Sequence, residues 1–128
     1  MGLDQWCYAC DADEIPDGVR VDFPRPDSSV EIAYWRKHPN LHGWMEDLYR
    51  SRGGIDEQFN CVPVELTMSD LDNLEEAIKE DKLPDTVGFF FGQSYKDSEA
   101  ISYDLDFVRK AKQLILNEDK RVFYTSWW

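Results

Sequence analysis

Three stretches of this chain carry apolar residues at helical spacing, and each lies between extended runs of β-branched and aromatic residues. Few folds accommodate that alternation. The clearest helical stretch is Leu41, Trp44, Met45, Leu48 and Tyr49, at i, i+3, i+4, i+7 and i+8. Pro39 suits its first turn, where a missing N–H costs nothing. Gly53-Gly54 supplies the stop. The spacing predicts a helix over about 39–52. A second helix carries Leu71, Leu74 and Ile78, with Thr67 or Ser69 as cap and Asp70 or Asp72 three residues on. A third, over about 104–117, has Phe107, Val108, Ala111, Leu114 and Ile115 on one face.

The extended runs fit between them. Leu3–Cys10 alternates, with Leu3, Gln5, Cys7 and Ala9 on one face and Asp4, Trp6, Tyr8 and Cys10 on the other. Val30–Trp35 reads as a strand. Phe59–Leu66 is extended, with Pro63 favouring an edge or a bulge. Val87–Phe91 is a continuous apolar run suited to a central strand, followed by a polar loop over Gly92–Ala100. Arg121–Trp127 is the last strand. The order β, loop, β-α-β-α-β-α-β predicts an α/β (or α+β) two-layer sandwich. Its sheet would be mixed, with about five strands, and three helices would cover one face. At 128 residues the chain is expected to be one compact domain, 1–128. The connection 11–29, with Pro16, Gly18, Pro24 and Pro26, is long for such a domain and has room for a short strand over Val19–Phe23.

Charge narrows the function classes. There are 26 acidic against 14 basic residues, net −12, which argues against sequence-independent binding to nucleic acid or to an anionic membrane. No stretch reaches the roughly 18 consecutive apolar residues of a membrane span. Asp4 stands where a signal peptide would be basic. Three cysteines, an odd number, fit a reducing compartment, so a cytoplasmic location is expected. The acids concentrate in residues 1–29 and 67–100, with Asp72, Glu75, Glu76, Glu80 and Asp81 around the second helix. A docking face for a basic partner is the functional reading of that helix; a solvated face is the bland one.

Three constellations carry possible chemistry. Cys7-x-x-Cys10 and His38-x-x-x-His42 have zinc-ligand spacings. However, a regular strand sends Cys7 and Cys10 to opposite faces. His38, His42 and Glu46 stand at i, i+4 and i+8, a catalytic metal set if the helix begins by His38. If Pro39 leaves His38 outside the helix, they fall out of line. Tyr34-Trp35-Arg36-Lys37-His38 joins two rings to basic groups at a strand-to-helix junction, suited to an anionic or planar ligand. Cys61 lies in an apolar strand context, where a thiol is usually inert. Neither a Gly-x-Ser-x-Gly elbow nor a phosphate-loop pattern occurs, and no cofactor is expected, with zinc the alternative that the His and Cys spacings raise.

Several segments bear a resemblance. The opening Met1-Gly-Leu-Asp-Gln-Trp6 is similar to a group of small phage and bacterial proteins that begin with an MGLD segment and an aromatic residue. Tyr34–His38 with Leu41, Gly43, Trp44 and Met45 resembles the same group's most distinctive segment. The run Gly88–Gly92 and the closing Ser126-Trp127-Trp128 resemble it too. No activity is established for the group, so the resemblance transfers no catalytic residue. It implies a phage or bacterial source, the host cytoplasm if phage-encoded, and a shared pocket drawing on Asp4, Trp35, Arg36, His38 and His42. Two function classes follow. One is an acidic phage-type accessory or protein-binding domain without evident catalysis. The other is a binder of a small anionic ligand, or a metal-dependent enzyme, with its cleft at 34–46.

Overall fold

A computed structural model describes residues 2–86 and 97–128. The predicted strand Val87–Phe91 and most of the loop after it lie outside the described residues. Four strands form one sheet: β1 (Asp4–Asp11), β2 (Val30–Arg36), β3 (Val64–Leu66) and β4 (Lys120–Trp127), in the order β2-β1-β4-β3. The helices are α1 (Pro39–Ser51), α2 (Met68–Lys79) and α3 (Ser98–Glu118). The α/β class and the two layers are as the sequence predicts.

The sheet differs from expectation in two respects. Among the described residues it has four strands, against about five expected, and every pairing is antiparallel rather than mixed. The reason lies in where the crossovers land. The β2–α1–β3 passage does not return to a neighbouring strand; it spans the sheet from one edge to the other. The centre is instead the β1–β4 ladder, from Asp4 opposite Trp127 to Asp11 opposite Lys120.

Strand alternation builds two cores. Cys7 and Ala9 of β1 and Val122 and Tyr124 of β4 face the helices. They meet Leu41, Met45 and Tyr49 of α1, Leu71, Leu74 and Ile78 of α2, and Phe107, Val108 and Ala111 of α3. Tyr8, Cys10 and Phe123 face the other way, under Ile15 and Phe23 of the 12–29 connection. Cys7 and Cys10 therefore serve different cores, as the period of two requires.

An ion cluster holds that connection down. Arg121 donates to both oxygens of Glu65 at 2.8 and 2.6 Å, and to the carbonyls of Ile15 and Val19 at 2.5 and 3.0 Å. Arg20 adds a bond to Glu65 at 2.7 Å. The short strand expected over Val19–Phe23 is a single bridge, Val21 to Val64.

Local signals account for the helix ends. Thr67 and Asp70 form a reciprocal capping box on α2, which selects Thr67 over Ser69. The third helix starts at Ser98, six residues before the expected 104, because Asp97 caps it by accepting from Ala100 N at 2.8 Å. Pro63 precedes β3, which is an edge strand. Cys61 corrects its expectation: it is exposed, outside any strand, with φ of 62°.

Candidate functional site

The junction between β2 and α1 is built by three local features. β2 ends at Arg36, and Lys37 takes a left-handed conformation that turns the chain. His38 is the N-cap of α1 but makes no side-chain cap. Gln5 of β1 holds the turn instead. Its amide accepts from His38 N at 2.8 Å and donates to His38 O at 3.0 Å. Pro39 then enters the helix at its first turn.

α3 supplies the facing wall. Tyr103, Asp104 and Phe107 come over β2. Trp35 meets Tyr103 and Phe107 edge to face, at centroid distances of 5.8 and 5.0 Å. Its indole N–H donates to Asp104 Oδ1 at 2.7 Å. His38 Nε2 lies 2.8 Å from Asp104 Oδ2. With Asp104 ionised, that bond fixes the proton on Nε2, so the carboxylate sets both the tautomer and the orientation of the ring. The backbone N–H of Tyr34 donates to Tyr103 Oη at 3.0 Å and ties α3 to the edge strand.

A cavity of about 240 Å³ opens beside this cluster, lined among the described residues by Tyr34, Trp35, Arg36, Lys37, His38, Ala100, Tyr103 and Asp104. Of the five ligand-site residues expected from sequence, Trp35, Arg36 and His38 meet here. Asp4 does not line this cavity. It lies with Gly2, Arg36, Trp127 and Trp128 on a second cavity of about 330 Å³, so Arg36 stands between the two. Asp4 accepts from Tyr34 Oη at 2.6 Å, a bond that raises the phenol pKa, and it lies 3.5 Å from Arg36.

His42 turns the other way, into the core. Its Nδ1 lies 2.7 Å from Tyr124 Oη, and its ring packs against Phe59 at 4.9 Å. Burial lowers its pKa from 6.5 to about 4, opposed by a hydrogen bond to the Phe59 backbone. Glu46 pairs with Arg50 at 3.2 Å. The set His38, His42 and Glu46 is therefore not brought together, because His38 caps the helix from outside its regular turns. Among the described residues no group of three or more His, Cys, Asp or Glu side chains is placed to hold a metal ion. Burial also drives the Cys7 thiol well above its usual pKa, and Cys10 up to about 11.

The acidic helix is interleaved with cations. Lys112 reaches Asp72 at 2.6 Å and Glu75 at 3.2 Å, Lys79 reaches Glu75 at 3.7 Å, and Lys82 reaches Glu80 at 3.0 Å. No helix among the described residues is long and apolar enough to cross a membrane.

Sequence reasoning passed over Gln5, Tyr103 and Asp104. Two of them carried a signal. Gln5 is a polar residue on the inward face of an alternating strand, and Asp104 sits at i−3 and i−4 from Phe107 and Val108 on an apolar stripe. A polar group in such a position needs a buried partner, and each has one. Comparison with protein-family models, with curated proteins and with solved structures yields no match.

Proposed function

We propose that this chain binds a small, planar, anionic molecule in the cavity between β2 and α3. One observation carries the reading. A single cavity joins the aromatic walls of Tyr34, Trp35 and Tyr103 to Arg36 and Lys37, in a chain whose net charge is −12. Ring faces hold a flat ligand and exclude water, and the two cations select its charge. Asp104 does not oppose such a ligand strongly, since Trp35 and His38 already engage its two oxygens. At about 240 Å³ the cavity suits one or two fused rings rather than a dinucleotide.

The test is a thermal-shift titration with benzoate, indole-3-carboxylate and quinoline-2-carboxylate. A ligand at ten times its Kd adds about 1.4 kcal/mol to stability, which is about 5 °C for a domain of this size. At least one carboxylate is expected to give a saturable shift of that order. The double variant Arg36→Ala/Lys37→Ala, altering two exposed side chains, is expected to abolish it. No shift with any of the three, or a shift that persists in the double variant, refutes the reading.

A further inference from the structure

The described residues cover only half of the sheet face away from the helices. Ile15 and Phe23 of the 12–29 connection lie over Tyr8, Cys10 and Phe123. The other half carries Trp6, Thr125 and Trp127, and Trp127 is 63% exposed. Between the two halves runs a hollow of about 490 Å³. Phe23, Pro24 and Arg25 form one side, Cys61 and Pro63 the other, and the aromatic residues of β1 and β4 the floor. Arg25 is the one charged side chain among its described lining residues.

The chain itself shows what this floor accepts. Residues 23–26 read Phe-Pro-Arg-Pro. Phe23 sets its ring edge on Phe123 at 5.3 Å, and the Arg25 guanidinium lies 4.3 Å from the centre of the Tyr8 ring. Pro24 lines the hollow beside them. The contacts are ring on ring and cation on ring. The neighbouring half of the floor offers the same kinds of surface, with Trp6 half-exposed beside Tyr34 and Trp127 largely exposed.

We propose that this uncovered half docks an extended segment of a partner protein rich in proline and arginine, continuing the packing that residues 23–26 already make. Three features favour that occupant. Trp6 and Trp127 line the hollow and offer rings for prolines, the mode by which aromatic grooves take extended proline-rich chains. No acceptor is found among the described residues for either indole N–H, and a proline-rich chain presents carbonyls without competing N–H donors. Arginines of the partner gain from Trp and Tyr faces and from the field of a chain at −12, which disfavours nucleic acid and a second copy of the same chain. This groove lies on the opposite face of the sheet from the Trp35 cavity, so either proposal can fail without the other.

The experiment is fluorescence anisotropy of the full chain with a labelled peptide of Pro-Pro-Arg repeats, about ten residues long. Controls replace every proline by alanine, or every arginine by glutamate. Saturable binding is expected, with both controls weaker. Trp127→Ala, altering an exposed ring, is expected to weaken binding by about tenfold. Thr125→Arg, which sets a cation on the floor without removing packing, is expected to do the same. Urea midpoints confirm that both variants fold. Four outcomes overturn the proposal. They are absence of saturable binding, equal binding of the alanine peptide, binding unchanged in both variants, and a dimer in sedimentation that Trp127→Ala dissociates.

Discussion

Acidification tests the core placement of His42 most directly. The ring is 1% exposed, and its pKa falls from 6.5 to about 4 on folding because burial penalises the imidazolium. A base with a depressed folded pKa costs nothing above pH 6.5, where both states are neutral. As pH falls through 6.5 the unfolded chain takes up a proton that the folded chain refuses until about pH 4. Stability is therefore lost across that window. Between pH 7.5 and pH 5 the linkage relation gives a loss of about 2 kcal/mol from this one group. The assay is urea unfolding across that range, for the natural chain and for His42→Gln. Glutamine keeps a donor and an acceptor without titrating. The variant is less stable in absolute terms, so the slope against pH is what is compared. Carboxylate protonation is common to both proteins and cancels. The natural chain is expected to lose about 2 kcal/mol more than the variant over this range. If the two curves stay parallel within about 0.5 kcal/mol, His42 is not a buried neutral ring and the reasoning fails.

Two further predictions rest on close packing and on ion clusters. A Cβ added to Gly43 would lie 1.9 Å from Thr86 Oγ1, so Gly43→Ala is expected to destabilise by about 1–3 kcal/mol in urea, although alanine is the better helix former; a stabilised variant would show that residues 84–86 do not lie against α1. Arg121→Ala leaves buried Glu65 with Arg20 alone and frees the carbonyls of Ile15 and Val19. It should cost about 3–5 kcal/mol and speed hydrogen exchange in residues 12–27 first; uniform exchange changes would contradict the clasp.

What the sequence revealed and what it hid separate along physical lines. Signals that act within one turn or one strand were legible. The Thr67–Asp70 box, the entry of Pro39 and the alternation of Gln5, Cys7 and Ala9 all depend on neighbours a few residues away. Strand order was not legible. The β1–β4 ladder depends on contacts between distant segments, and nothing in either strand names the other. The site divided in the same way. Trp35, Arg36 and His38 are contiguous and could be read as a unit, whereas Asp104 joins them only because α3 crosses β2. His42 and His38 looked equivalent by spacing. One turn of irregular backbone at the helix entry sends one to a cavity and the other into the core.

The central ladder has a kinetic consequence. Its strands meet across a separation of 109 positions, as between Asp11 and Lys120, and no tight two-residue hairpin joins strands among the described residues. The chain must close a long loop before the bonds of this central ladder repay the lost entropy. During synthesis β1 can pair with β2 once Arg36 is out, whereas its other edge waits until β4 leaves the ribosome. The helices rest on local contacts and do not depend on that closure, whereas the four-stranded sheet is complete only after it.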